Sequence, residues 1–586
     1  MLILRRKLFL LKKMDFLKKY IAEILTAVFV IVSVLIFYAP MFAYQEGLQI
    51  FMFNHEFLID TCLRPGGLSD YLGCFFVQFF MYPHWLTIIL TLLILGVLLL
   101  SESIFIKYAD KNFAKFLGLL CALGMFAVVT DFSVLFGGVI AILLSLIVVK
   151  INSLTSNVIV LSLLTPLVYW LTGGWCCIIY VLGIALNFPL KKGGVFFFVN
   201  SLTLVFSWLI TKNLMQDDGF YETFAGVDYN RYPENIRYIW FIEIFIVVLC
   251  LILSKIKISL KKNIVKIPLY LAAFAGLFSV MIAKYSPAAM FDFKIDKLVR
   301  YKHWNEIVDI FAKNDFSTPL SECYLNIALS ELGVLDSKMF NFVQLGTEGL
   351  ASEEIDTQAK SIVNSEIYFR LGLMNIAERL SIDAMESCNT FQKSARQYKR
   401  LAEIAIIRDD KPLAIRYLRK LQSTIFYSAW ADRVEEYLNT KDEKLALSDW
   451  KMKPLPMTYD FFFGTNYGSD LFFYLLGNQP QNRKLFNYYT CYLLLEKNIG
   501  KLYNFIGECK LEKPVGRHIY EALLLYMSQH NPQEFEKMLA KPDELTQKFQ
   551  SFNSFMVSGG SNDVLRAKQL FGNTYWFYFY FMRHQK

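Results

Sequence analysis

The run His84-Trp85-Leu86-Thr87-Ile88-Ile89-Leu90-Thr91-Leu92-Leu93-Ile94-Leu95-Gly96-Val97-Leu98-Leu99-Leu100, extended through Ser101-Glu102-Ser103 to Ile106, holds one charged residue in 23. A helix rises about 1.5 Å per residue, so this stretch alone reaches the ~30 Å needed to cross the hydrocarbon core of a bilayer. Eight further apolar runs surround it, at about 21–42, 113–130, 132–149, 157–173, 175–190, 194–211, 238–254 and 267–283. Several are near the lower limit of about 17 residues and should cross steeply. All nine end before residue 290. The expected class is therefore all-α, with a polytopic membrane domain of about nine transmembrane helices over 21–285 and a more polar half after it.

Composition points the same way. The chain of 586 residues is 55% hydrophobic and only 19% charged, with 53 Phe. A soluble domain carries nearer a quarter charged residues and spreads its apolar residues periodically. An ordinary cytoplasmic enzyme, a disordered protein and a small disulfide-stapled module are excluded. Residues 1–290 hold 23 Lys+Arg against 15 Asp+Glu, and 291–586 hold 37 against 36, so the net charge of +9 sits almost wholly in the first half.

Those charges alternate from loop to loop. With the basic N-terminus (residues 1–20: Arg5, Arg6, Lys7, Lys12, Lys13, Lys18, Lys19) in the cytoplasm, the loops on the same side carry Lys107/Lys111/Lys115, Lys150, Lys191/Lys192 and Lys255/Lys257/Lys261/Lys262/Lys266. That makes 18 positive charges against five on the other side: Arg64, Lys212, Arg231, Arg237 and Lys284. The pattern obeys the positive-inside rule, so the basic excess reads as topology and no nucleic-acid partner is expected. An odd number of spans places the second half outside the cytoplasm. In a Gram-negative cell this is a multi-pass protein of the inner (cytoplasmic) membrane with a periplasmic C-terminal half. The first span is too long for a signal peptide and should stay as an anchor.

Cys121, Cys176, Cys177 and Cys250 fall in spans, where cysteine behaves as a small apolar residue. Cys62 and Cys74 share an external loop and have the compartment to pair, as do some of Cys323, Cys388, Cys491 and Cys509. None of the ten shows metal-ligand spacing.

From about residue 294 the apolar period becomes that of amphipathic helices. The stretch Leu401-Ala402-Glu403-Ile404-Ala405-Ile406-Ile407-Arg408-Asp409-Asp410-Lys411-Pro412-Leu413-Ala414, continuing to Leu421, resembles a tetratricopeptide (TPR) repeat. In that pattern Ala402 and Ala414 let two helices approach and Asp409-Asp410 takes the turn. Looser versions run over Tyr324–Gln344 and Tyr368–Ala384. The resemblance implies a TPR-like α-solenoid over 290–455, able to hold protein partners on a concave face. An irregular helical bundle with one such hairpin is the alternative. Residues 456–586 continue as an aromatic-rich helical region, with Tyr459-Asp460-Phe461-Phe462-Phe463 and Tyr575-Trp576-Phe577-Tyr578-Phe579-Tyr580-Phe581. These runs read either as a surface dipping into the bilayer interface or as the solenoid's core and cap, and the aggregation hazard of a large exposed aromatic patch favours the core.

The first external loop, 43–83, is richest in candidate chemistry. It reads Tyr44-Gln45-Glu46-Gly47, then Asn54-His55-Glu56-Phe57-Leu58-Ile59-Asp60, then Arg64-Pro65-Gly66-Gly67-Leu68-Ser69-Asp70, then Phe79-Phe80-Met81-Tyr82-Pro83. Amphipathic stretches split by a Pro-Gly-Gly turn should lie as short helices along the membrane face. An acidic residue after the first span, a short helix, a Pro-centred turn and an aromatic helix into the second span resemble the start of GT-C glycosyltransferases. That resemblance implies transfer of a sugar from a polyprenyl-phosphate donor at the outer face, with a carboxylate as base and a divalent metal nearby. The family's acidic pair falls on Gln45 and Glu46. Gln45 cannot take a proton, which leaves Glu46 as the base. The whole chain also resembles an uncharacterised family of bacterial membrane proteins of similar length, through Pro65-Gly66-Gly67, Gln78-Phe79-Phe80, Glu521-Ala522-Leu523-Leu524-Leu525-Tyr526 and Phe571-Gly572-Asn573-Thr574-Tyr575-Trp576.

Charged groups within or beside spans are costly and therefore candidates. Glu243 lies inside the eighth span and Asp131 at the outer end of the third. The transferase reading gathers Glu46, Asp60 and Glu243 as catalytic carboxylates, with Asp131, and uses Arg64 or Arg231 to grip a lipid-linked phosphate. The bland reading has Glu243 snorkelling or paired with Arg237, and the acidic loop of Asp217, Asp218, Glu222, Asp228 and Glu234 as a solvated surface. His55 and His84 flank the first loop without diagnostic metal spacing. Two functions are carried forward: a GT-C-like glycosyltransferase, and a non-catalytic membrane-anchored TPR scaffold that binds partners outside the cytoplasm.

Overall fold

The computed structural model describes residues 20–155, 157–215, 219–231, 238–258, 260, 263–314, 316–352, 355–387, 393–442, 444–451, 469–478, 481–508, 515–531, 533, 536 and 543–582. The basic N-terminus, Asp217, Asp218, Glu234, Arg237, Cys388, Cys509 and the 459–463 aromatic run lie outside them. Among the described residues the protein is all-α, with an isolated antiparallel bridge between Val134 and Asn230 as its β feature. Two compact units form. The first comprises residues 1–287 with 388–398 and 418–433; the second comprises 288–387, 399–417 and 434–586.

Among the described residues of the first unit six helices are long and apolar enough to cross a membrane: Ile21–Gly47, Pro83–Phe105, Lys111–Val129, Thr165–Ala185, Leu190–Leu214 and Val265–Lys284. Phe136–Asn152 and Ile239–Leu253 are apolar but shorter. The apolar core of Lys111–Val129 is 72% buried within the protein, whereas that of Val265–Lys284 is 11% buried. The first is the centre of the bundle, and the second turns Leu271, Phe278 and Ile282 outward. Apolar surface on that scale is what lipid, not water, accommodates. The first long helix widens to a π turn at Val34–Tyr38, just ahead of Pro40, whose ring and missing N–H disrupt the regular ladder.

Thr165–Ala185 is not a single rod. The Cys177 thiol lies 3.8 Å from the carbonyl of Thr165, and the Tyr180 hydroxyl donates to the carbonyl of Leu161 at 2.8 Å. In a straight helix those pairs would stand roughly 18 and 28 Å apart. The chain reverses at Gly173, where φ is 79° and ψ 167°. Glycine is required there twice over, because a Cβ would also meet the Ala225 carbonyl at 2.4 Å.

Loops of this unit gather in two groups. In one, Lys107 Nζ donates to Ser153 O (3.0 Å) and Asn187 Oδ1 (2.9 Å), Lys150 Nζ to Ser103 O (2.9 Å), and Lys255 Nζ to Leu186 O. In the other, Gly66 N donates to Trp170 O (2.8 Å), Val227 N to Pro65 O (2.9 Å) and Arg231 N to Ser133 O (2.6 Å), while Lys284 pairs with Asp131 (2.6 Å). Each group contains alternate loops of the chain.

The second unit is a stack of short helices. Pro319–Glu331 begins with a capping box between Thr318 and Ser321. Gln358–Leu371 and Met374–Glu386 pack on each other across a two-residue link. The turn at Asp409-Asp410 works as its residue types suggest: Asp409 takes a left-handed φ of 59°, and Asp410 caps the next helix by accepting from Leu413 N at 3.0 Å. Ala402 and Ala414 are fully buried. The run Tyr575–Tyr578 lies in the hydrophobic core with Phe549 and Phe552, so that aromatic segment is interior.

Gly226 tests how closely the first unit's loops are packed. It has φ 77°, and a Cβ there would stand 1.8 Å from the Pro65 carbonyl. Gly226→Ala should cost about 3 kcal/mol or more and shift thermal unfolding of the purified protein sharply downward. Gly276→Ala, with nothing within 4 Å of its Cβ, should leave the unfolding temperature unchanged or slightly raised.

Candidate functional site

The Pro65-Gly66-Gly67 turn is built for contact. Gly66 has φ 80°, and its absent side chain leaves room for the Tyr229 hydroxyl, which donates to Gly66 O at 2.9 Å. Tyr229 lies flat against Gly138, where a Cβ would fall 2.8 Å from its own Cβ, and Trp240 Nε1 donates to Gly138 O at 3.2 Å. Leu135 N donates to Tyr229 O at 2.8 Å. One buried tyrosine thus joins the loop after the first long helix, the loop before Phe136–Asn152 and the 226–231 segment.

Glu46 ends the first long helix and is buried. Its Oε1 accepts from the Tyr427 hydroxyl at 2.9 Å. The backbone beyond it is tied down as well: Ser394 Oγ donates to Gly47 O (2.6 Å), Ala395 N to Gln49 O (3.2 Å) and Phe53 N to Ser423 O (2.7 Å). Glu46, Gln49, Phe51, Cys74, Gln78 and Tyr427 are among the residues lining a pocket of about 10 Å³, the space of roughly one water. The Gln78 amide donates to Phe75 O at 2.9 Å, and its buried Oε1 has no partner.

The remaining sequence candidates are dispersed. Asp60 is half exposed and faces Lys393 Nζ at 3.8 Å. Glu56 faces Lys420 at 3.6 Å; both are surface pairs of small energetic weight. Asp131 pairs with Lys284, and although burial raises its pKa, the hydrogen bonds from Lys284 and Ser133 outweigh burial and hold it below the usual carboxylate value. Glu243 is buried in the helix Ile239–Leu253 and does not snorkel. Asp60, Asp131 and Glu243 therefore do not gather on Glu46. Arg64 is exposed. Arg231 is buried, its Nε donating to Phe132 O at 3.1 Å and its guanidinium 4.9 Å from the Phe132 ring centre. His55 and His84 are exposed. Among the described residues no three His, Cys, Asp or Glu side chains are grouped to hold a metal, and Cys62, Cys74, Cys323 and Cys491 are free thiols.

Sequence reasoning passed over Asp70. It sits in the first turn of the helix Gly67–Val77, only 1% exposed, with Oδ2 lacking a hydrogen-bond partner and Oδ1 wedged against Gly137. Burial pushes its pKa up to about 7. The available signal was the density of small residues around it (Gly66, Gly67, Ser69, Gly73), which marks close backbone approach. Tyr427, from a distant part of the chain, left no local signal.

In the second unit, the two remaining shared motifs meet. Glu521 is fully buried; its Oε2 accepts from Tyr575 N (2.7 Å) and from His518 Nδ1 (2.9 Å), and Arg517 Nε reaches Oε1 at 2.8 Å. His518 Nε2 accepts from Phe340 N at 3.3 Å, which assigns the ring proton to Nδ1. Trp576 Nε1 donates to Glu521 O at 2.8 Å. Burial alone would raise the pKa of Glu521, but His518, Tyr575 N and Arg517 together hold it below the ordinary value. This is a closed structural lock rather than an open cleft.

A family model of unknown function matches residues 16–582. The chain belongs to the DUF6057 family. No curated protein and no solved structure matches it. The DUF6057 match takes in both the Tyr229 junction and the Glu521 lock, so both belong to the family-matched part of the chain.

Asp70 makes a measurable pH dependence. Unfolded, an aspartate titrates near 3.9; folded, Asp70 titrates at about 7. Between those values the folded state holds a proton that the unfolded state has lost, so stability falls as pH rises through that window, by at most about 4 kcal/mol. Asp70→Asn should flatten that fall, and its unfolding temperature should exceed wild type at pH 8 more than at pH 5.

Proposed function

We propose that this DUF6057 protein is a multi-pass protein of the inner membrane of the cell envelope, with nine crossings and a TPR-like second unit outside the cytoplasm that serves as a scaffold for partner proteins. The reversal at Gly173 supports counting two passes within 158–185, and the two shorter apolar helices supply the others. The separation of Lys107, Lys150 and Lys255 from the Arg231 and Lys284 group supports the alternation that leaves the N-terminus cytoplasmic. The observation that carries the non-catalytic reading is at Glu46. Its carboxylate is bonded to Tyr427 in a pocket for about one water, whereas a sugar-phosphate site needs several hundred Å³.

A GT-C-like transferase is the second reading, supported by the two short helices His55–Cys62 and Gly67–Val77 that follow Glu46 in the first loop. On that reading Glu46 is the base, the donor is a polyprenyl-phosphate-linked sugar, and a divalent metal assists. Asp60 and Glu243 would be further carboxylates, with Arg64 and Arg231 for the lipid phosphate.

Glu46→Gln separates the two. Gln keeps an oxygen for Tyr427 and loses only charge and basicity. In a deletion strain complemented at normal protein level, the scaffold reading expects Glu46→Gln to restore envelope function fully and to leave the set of cross-linked partners unchanged. Loss of function at least 100-fold in any sugar-transfer readout, with the protein level unchanged, would install the transferase in its place.

A further inference from the structure

Glu243 stands apart from every other acidic group considered above. It belongs to the apolar helix Ile239–Leu253, is 0% exposed, and neither carboxyl oxygen has a hydrogen-bond partner. Room for it comes from the facing helix Lys111–Val129: a Cβ on Gly124 would stand 2.0 Å from Glu243 Oε2, so glycine leaves the notch the carboxyl fills. Trp240 and Ile244 beside it on its own helix are buried too.

The groups facing it are weakly polar and uncharged. Cys250 lies on its own helix and Cys121 on the facing one, and Cys121 in turn meets Cys250 and Ser101 from Pro83–Phe105. Ser101 is likewise fully buried. Among the described residues no Lys, Arg or His is paired with Glu243. Lys115, toward the other end of Lys111–Val129, is engaged by Glu23 at 2.8 Å and lies 4.0 Å from Glu102. An ionised carboxylate here would be an uncompensated charge in an apolar interior, which proteins avoid by neutralising the group.

We propose that Glu243 is a proton-binding site inside the helix bundle: a carboxylic acid that carries its proton at neutral pH, seated in the Gly124 notch beside Cys121 and Cys250. The ligand is a single proton, taken up by one carboxyl oxygen as the O–H bond forms and released with the electron pair left on that oxygen. Such a partnerless acid in a bundle is a reversible charge carrier by its chemistry, whichever way the bundle faces.

The test is infrared spectroscopy of the full chain in lipid nanodiscs at pH 7, wild type against Glu243→Gln. Loss of one un-ionised carboxylic-acid carbonyl band in the variant, with the carboxylate bands unchanged, is expected. Glu243→Asp keeps the acid on a shorter stem, so it should shift that band and not remove it; this second variant carries the test if the glutamine variant does not fold. Loss of a carboxylate band from Glu243→Gln, or an acid region identical in wild type and Glu243→Asp, would overturn the proposal.

Discussion

The first unit depends on how closely backbones can approach around Tyr229. Its ring occupies a slot walled by Gly66, Gly137 and Gly138, its hydroxyl reaches the Gly66 carbonyl, and its own carbonyl receives Leu135 N. The ring and hydroxyl contacts need missing Cβ atoms at those glycines. Small residues at such junctions let polypeptide segments meet at main-chain distance, where hydrogen bonds and dispersion do what the hydrophobic effect does in water. The reversal at Gly173 and the turn at Gly226 close the same junction from two further loops, through Ala225 O and Pro65 O.

The fate of the carboxylates shows how environment divides one residue type into different roles. Glu46 has a hydroxyl donor, Asp131 a lysine, and Glu521 a backbone amide, a histidine and an arginine. Asp70 and Glu243 are buried with no such compensation. Uncompensated burial costs stability, and groups that persist in that state are where proton exchange is most easily located. The two sit on different helices, Gly67–Val77 and Ile239–Leu253.

In the second unit the same logic serves stability. Arg370 is buried among Glu366 (2.8 Å), Asp449 (3.1 Å) and Glu331 (3.9 Å), and Glu366 also binds Arg400. Charges removed from water survive there only because each has partners. The Glu521 lock places an acceptor at the start of the helix Tyr575–Phe581 and so positions the aromatic run inside the core.

Much of the architecture was legible in the amino-acid sequence. A segment in lipid must satisfy its own backbone hydrogen bonds and present apolar side chains, so composition over 20 residues is enough to find it. The break between 157–173 and 175–190 is local in the same sense, since Gly173 is the residue that permits the reversal. Asp409-Asp410 likewise announced its turn through residue type alone. The site was different. That Glu46 meets Tyr427, 381 residues away, that Asp60 faces Lys393, and that Asp70 and Glu243 lie buried without partners are properties of distant segments brought together. Composition determines which stretches leave water; only packing decides which charges leave it with them, because a carboxyl's partners and burial are set by neighbours that no local window contains.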